Sequence, residues 1–269
     1  MNRILLFIFS FIFFSCGQKP QESKAVNPVD KVEQKQISFE EVQTISTPKI
    51  LFPGTYRDPA QEELSQLNSS WHELFYDKKE NVWKIAATDY KIARGFDECI
   101  GDSTTILSST RNPLIIFTGI SVNVGSLNSI KPEQDVIPPN RSIKFSFNGN
   151  NYRISAMGNV IDQSGYIMPS NEIAQLQTQD FDNYKIETYM LSLSDEDGKS
   201  QLLFNIPKLG NGLTKLVWIG DLDNDGRPDF VFDTSSDPEV EIKELYLSSG
   251  TNSSDFVKKV AYITIGFDC

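Results

Sequence analysis

Residues 218–233 of the chain read WIGDLDNDGRPDFVFD, and this stretch decides the architecture around it. Three aspartates, Asp221, Asp223 and Asp225, stand at alternate positions, and the glycine that follows them allows the backbone to reverse with a positive φ. Asp229 then brings a fourth carboxylate back to the same point. Because converging oxygen ligands suit a hard cation, the spacing predicts a calcium-binding loop.

The loop is expected to join two strands. Residues 216–219 and 230–232 are short apolar runs of β-branched and aromatic residues without helical spacing. An EF-hand instead requires flanking helices and a glutamate at loop position 12, which is Phe232 here. We predict that the four aspartate side chains bind Ca²⁺ together with the backbone carbonyl of Arg227. The alternative is a polar hairpin turn that binds no ion.

The loop resembles a known family of calcium repeats. Residues 220–229 match the Asp-x-Asp-x-Asp-Gly-x-x-Asp pattern of FG-GAP or VCBS repeats, which occur in integrin α-chain propellers and secreted bacterial proteins. More loosely, residues 95–269 are similar to bacterial lipoproteins with one such loop, a Leu-x-Leu-Ser-Ser strand, here residues 245–249, and a terminal Cys269. A single loop argues against a complete propeller, and the resemblance implies no known activity.

The first residues have the pattern of an export signal. A basic start precedes an apolar run at residues 4–14, which is too short to span a bilayer. The following Ser-Cys-Gly resembles a bacterial lipobox, so we expect residues 1–15 to be a lipoprotein signal peptide and Cys16 to carry lipid such as palmitate. An uncleaved anchor is the alternative. This predicts attachment to a membrane of the bacterial cell envelope, at the outer membrane or the periplasmic face.

The remainder divides into a tether and a globular domain. Residues 16–48 are polar and poor in aromatic residues, which predicts a flexible tether behind the lipid anchor. Residues 49–269 alternate apolar and polar positions, which favours a mainly β domain, either an antiparallel β-sandwich or partial propeller-like sheets. One short N-terminal helix is predicted at residues 59–75 from its three- and four-residue apolar spacing. The net charge of −11 argues against nucleic acid as a partner.

The cysteines place a second constraint on the domain. Of the three cysteines in the chain, lipid attachment would occupy Cys16, which leaves Cys99 and Cys269. In an exported protein we expect these two to form a disulfide. Two free thiols are the alternative.

The sequence offers little for catalysis. His72 is the single histidine, so a histidine-based zinc site is excluded and a Ser-His-Asp triad would depend on it entirely. Neither a phosphate-binding loop nor a dinucleotide fingerprint is present. We therefore assign no catalytic residue. The tryptophans, Trp71, Trp83 and Trp218, are candidates for stacking on sugars, although large aromatic residues of β proteins usually lie in the core.

Three classes of function remain. The favoured one is a lipid-anchored, calcium-stabilised β domain with a binding or structural role, whose ligand is a protein or a glycan. The second is a carboxylate-based glycan hydrolase with structural calcium, which requires only two acidic groups across a cleft. The third is a calcium-responsive switch, which requires a large conformational change on binding.

Overall fold

The computed structural model describes residues 47–57, 60–132, 134–210, 212–237, 239–251 and 254–267 of the 269-residue chain. The predicted signal peptide, the lipid-attachment residue Cys16, nearly all of the predicted tether, and Cys269 lie outside the described residues. Within them, no helix is both long enough and apolar enough to cross a membrane.

Strands dominate the described residues. In chain order they are β1 (Lys49–Leu51), β2 (Gly54–Tyr56), β3 (His72–Asp77), β4 (Val82–Ala87), β5 (Lys91–Asp97), β6 (Asp102–Ser108), β7 (Ile115–Thr118), β8 (Gly125–Ser126), β9 (Ser129–Ile130), β10 (Ser142–Phe147), β11 (Asn150–Ile161), β12 (Lys185–Asp195), β13 (Ser200–Leu209), β14 (Lys215–Gly220), β15 (Asp229–Asp233), β16 (Val240–Leu247) and β17 (Lys258–Gly266). The helices are short: 3₁₀ helices at Ala60–Gln66 and Thr178–Asn183, and an α-helix at Ser170–Ile173.

The strands form four antiparallel sheets. Sheet I has the order β1-β7-β3-β4-β8, sheet II β2-β6-β5, sheet III β10-β11-β12-β13, and sheet IV β17-β16-β15-β14-β9. Every pairing within them is antiparallel. The predicted mainly β, antiparallel class is therefore confirmed.

Sheet IV is shared by two hydrophobic cores. Val231 and Trp218 belong to a core with residues of sheets I and II, whereas Phe230, Phe232 and Ile219 belong to a second core with residues of sheet III. Successive side chains of a strand point to opposite faces, so sheet IV is covered on both sides. This explains the unbroken apolar run at residues 230–232, because a strand buried on both faces does not need polar alternation. The packing is that of a β-sandwich in which one sheet serves two cores.

Two tight turns close hairpins in sheet III. Residues 148–149 connect β10 to β11, and Asn148 and Gly149 have φ values of 48° and 83°, as tight hairpin turns require. Residues 196–199 connect β12 to β13, and Gly198 has a φ of 86°. Gly and Asn supply the backbone conformations that these local connections need.

The predicted helix at residues 59–75 is wrong in its second half. The helix is a 3₁₀ helix limited to Ala60–Gln66, and His72–Asp77 is strand β3. The side chain of Asn68 accepts hydrogen bonds from the backbone amide and hydroxyl of Ser70, which closes a turn between the two elements. Beyond that turn, pairing with β4 and β7 overrides the helical spacing of the apolar residues. The two helices between β11 and β12 were not predicted.

Candidate metal centre

The aspartate-rich loop connects two paired strands of sheet IV, as predicted. Gly220 at the end of β14 pairs with Asp229 at the start of β15, and with Ser129 of β9 on its other side. A side chain at Gly220 would lie 2.3 Å from the ring of Trp218 and 2.9 Å from the carbonyl oxygen of Asn128. Glycine is therefore required at this close approach, and the loop leaves the sheet from a fixed point.

The structure brings three of the predicted ligands together. One carboxylate oxygen from each of Asp221, Asp223 and Asp225 lies within 4.8 Å of the others. Asp221 accepts hydrogen bonds from the backbone amides of Asp225, at 3.0 Å, and Gly226, at 2.9 Å. Asn224 and Gly226 have φ values of 62° and 85°, so the predicted reversal of the backbone is present. The loop thus folds around the first of its own carboxylates.

Asp229 has a different environment from the three grouped aspartates. It is fully buried, with 0% of its surface exposed. One carboxylate oxygen accepts a hydrogen bond from the amide of Leu222, at 2.7 Å, and the other accepts from the amide and hydroxyl of Ser248, at 2.8 and 2.9 Å. Asp229 therefore ties the start of the loop to the residue that follows β16, and it is not a member of the three-aspartate group.

The interior of the site carries an uncompensated negative charge. Oδ1 of Asp223 is buried without a hydrogen-bond partner among the described residues. Burial, and next the charge of Asp223, raise the pKa of Asp229 to about 7. Burial is also the largest cause of the raised pKa of Asp221. The described residues place no cationic side chain within ion-pair distance of any of these three carboxylates.

Arg227 has a role that the sequence did not reveal. Its guanidinium binds the outer aspartate, with Nη2 at 2.8 Å and Nε at 3.1 Å from Oδ2 of Asp225. Nη2 also donates to the backbone carbonyl of Ser248, at 2.6 Å. The prediction concerned the backbone carbonyl of Arg227 as a ligand, and that part stays a prediction. The side chain therefore connects the loop to the end of β16.

Two further residues of the site were missed. The hydroxyl of Ser248 donates to Asp225 and Asp229, and Nδ2 of Asn148, in the β10–β11 turn, donates to the carbonyl of Gly226 at 2.8 Å. Ser248 belongs to the Leu-x-Leu-Ser-Ser strand of the resemblance, so a signal for it was present in the sequence. Asn148 lies 78 residues from its partner, and no local pattern links the two.

The donor set fits a hard divalent cation. It consists of oxygen atoms alone, and one buried oxygen lacks any donor. The neighbouring carboxylates repel one another when ionised, and a bound dication makes the same crowding favourable. Asp221, Asp223 and Asp225 are the residues placed to hold such an ion.

Other predicted features lie away from this centre. Cys99 is disulfide-bonded, whereas its predicted pairing with Cys269 stays a prediction because Cys269 lies outside the described residues. His72 is partly buried on β3, with its ring centroid 5.9 Å from that of Phe117. Trp71 and Trp218 are core residues, whereas Trp83 is half-buried.

Comparisons with protein-family models, with curated proteins and with solved structures gave no match to this chain. Function is therefore inferred from the chemistry of the site.

Proposed function

We propose that residues 49–269 form a calcium-stabilised β domain with a binding or structural role, held at the bacterial cell envelope by lipid on Cys16. The proposal of calcium binding rests on one observation, the buried, unpartnered Oδ1 of Asp223 inside a group of three aspartates. A buried carboxylate oxygen without a donor is costly unless a cation compensates it. A bound ion removes that cost.

Calcium is the ion that this chemistry favours. Its ligands are hard oxygens in a flexible geometry, and carboxylates on a short loop supply them. Magnesium requires a smaller and more regular octahedron and retains several waters. The resemblance of residues 220–229 to FG-GAP or VCBS loops supports the same choice. Extracellular calcium modules commonly have dissociation constants of roughly 0.1–1 mM, which suits a site occupied permanently for stability.

The experiment that tests calcium is thermal unfolding of residues 17–269, which omit the predicted signal peptide and the lipid-attachment residue, across a calcium titration. A ligand that binds only the folded state stabilises it by about 2.7 kcal/mol at a concentration 100-fold above its dissociation constant. We expect the midpoint to rise with calcium and to stay constant with magnesium.

Matched variants identify the site. Asp223→Ala should abolish the calcium-dependent rise, because it removes the unpartnered ligand. Asp197→Ala, in the exposed β12–β13 turn, removes the same charge elsewhere and should keep the full rise. A midpoint that is insensitive to calcium in the unmodified chain would contradict the proposal.

The lipid anchor has its own test. Cys16→Ser should abolish incorporation of labelled palmitate and release the protein from the membrane fraction, while the calcium-dependent midpoint stays the same. Label that persists in this variant would contradict attachment at Cys16.

A further inference from the structure

A second candidate site lies between sheet I and the far part of β16. It is an open cavity of about 590 Å³, within the size range of roughly 300–1,000 Å³ that small-molecule sites occupy. Its distinctive lining consists of three aromatic and three cationic side chains: Phe52, Tyr76, Trp83, Lys78, Arg111 and Lys243. Lys243 and Ser248 are five residues apart along the chain, so roughly 16 Å separates the cavity from the metal centre.

The aromatic part is a cross-strand pair. Tyr76 of β3 and Trp83 of β4 are direct partners, and their ring centroids lie 5.5 Å apart in an edge-to-face arrangement. Tyr76 is 39% exposed and Trp83 is half-buried, whereas Trp71 and Trp218 are 2% and 1% exposed. Trp83 is thus the tryptophan that is available to stack on a ligand, and aromatic faces are suited to the apolar face of a sugar ring.

The cations at the floor of the cavity are fixed by contacts within the chain. The Nζ of Lys243 lies 4.7 Å from the ring centroid of Phe52 and pairs with Glu241. Arg111 binds the buried carboxylate of Glu73 at 2.9 Å. These two charges are therefore compensated within the chain.

The cation at the rim is in a different state. Lys78 is exposed and forms no salt bridge with the described residues. Thr110 and Asn112 add a hydroxyl and an amide to the same lining. Glu241 also lines the cavity and pairs with Lys243, and Glu73 pairs with Arg111. Lys78 is therefore the lining cation whose charge is not compensated by the described residues, and it can attract an anionic group.

We infer that this cavity binds an oligosaccharide that carries carboxylate groups, such as one containing uronic acids. Trp83 and Tyr76 contact the sugar ring, Lys78 pairs with a carboxylate, and Thr110 and Asn112 bind its hydroxyls. This inference rests on the binding role proposed for the domain and gives that role a ligand class. It does not depend on the cation at the aspartate loop.

The test is titration calorimetry with trigalacturonate, with the same free calcium concentration in syringe and cell. The matched probe is the methyl ester of the same trisaccharide, which retains the rings and hydroxyls and lacks the charge. We expect trigalacturonate to bind about threefold more tightly than the ester, as one exposed ion pair allows. Absence of binding, or equal binding of the ester, would overturn the inference.

Two neighbouring lysines supply matched variants. Lys78→Gln should weaken binding of trigalacturonate by about threefold, as expected for an exposed ion pair. Lys79→Gln removes the same charge from the next residue, which does not line the cavity, and should leave the affinity unchanged. Equal effects of the two variants would overturn the assignment of Lys78.

Tryptophan emission gives an independent readout. Because the other two tryptophans lie in the core, ligand over Trp83 should change the emission of the chain, and Trp83→Phe should lose this change while retaining measurable heat of binding. The calcium titration of the thermal midpoint, run on the same protein, separates the two proposals. A calcium-dependent midpoint without binding of trigalacturonate rejects the ligand class and leaves the calcium site intact.

Discussion

Glu73 in sheet I and Asp229 in sheet IV are both fully buried carboxylates, each at 0% exposure. They differ in the groups that compensate their charge. Arg111 binds Glu73 at 2.9 Å, and the hydroxyl of Thr88 and the amide of Asp89 donate to its other oxygen at 2.7 and 3.1 Å. Glu73 therefore has a cation and neutral donors from within the protein.

Among the described residues, Asp229 has neutral donors alone. Its hydrogen bonds come from Leu222 and Ser248, and its charged neighbour is the acidic Asp223. Under the proposed calcium site, the compensating charge comes from solution. We therefore expect the stability of the Glu73 region to be a property of the chain and that of the loop to depend on dissolved cations.

Removing Arg111 is expected to have the largest effect. Arg111→Met leaves Glu73 charged and unpaired, and breaking a buried ion pair in this way costs roughly 3–5 kcal/mol. The loss, measured by urea unfolding, should be the same with and without calcium. The double variant Glu73→Gln with Arg111→Met should recover part of it. A loss of stability that added calcium reverses would contradict the distinction between the two regions.

The pH dependence of the free energy of unfolding should show the second largest difference between the two regions. Without a cation, the folded pKa of Asp229 is about 7, above its unfolded value of 3.8, so the folded state prefers the protonated carboxyl. The free-energy cost of ionising Asp229 in the folded state is absent below the unfolded pKa and complete above the folded pKa. The free energy of unfolding should therefore fall between about pH 4 and pH 7, by on the order of 4 kcal/mol.

Calcium should remove this fall, because a dication held by the neighbouring Asp223 favours the ionised form of Asp229. The measurement is urea unfolding across pH in buffer stripped of divalent cations and in buffer with calcium. Identical pH profiles in the two buffers would contradict a cation at the loop.

Ser248→Ala is expected to have the smallest effect. It removes the hydroxyl that donates to Asp225 and Asp229, but leaves the backbone amide of residue 248 on Asp229. We expect a loss of about 1 kcal/mol in thermal or urea unfolding. Ser249→Ala is the control, because that side chain makes no hydrogen bond with the described residues. Equal losses in both variants would show that the hydroxyl has no specific role.

The two regions also differ in what could be predicted from sequence. The three grouped aspartates lie within five residues, so their spacing predicted the loop, and the adjacent apolar runs predicted the flanking strands. Glu73 and Arg111 are 38 residues apart and meet because β3 pairs with β7. Residue 73 lay in a predicted helix, where helical spacing concealed the strand. The residues that a local turn brings together could be predicted from the sequence. The residues that sheet pairing brings together could not.

The same limit applies to the cavity. Trp83 was one of three candidates for sugar stacking, and burial in the folded chain distinguishes it from the other two. Its neighbours come from the β1–β2 connection, β3, β16 and the segment before β7, which no sequence spacing connects.

The position of sheet IV between two cores has a consequence for cooperativity. Phe230 and Phe232 face one core and Val231 the other, so neither core can melt without exposing one face of β15. The two halves of the domain should therefore unfold in a single transition, with one calorimetric peak. The amide hydrogens of β15 should exchange with solvent only through global unfolding, which makes this strand the slowest-exchanging part of the domain.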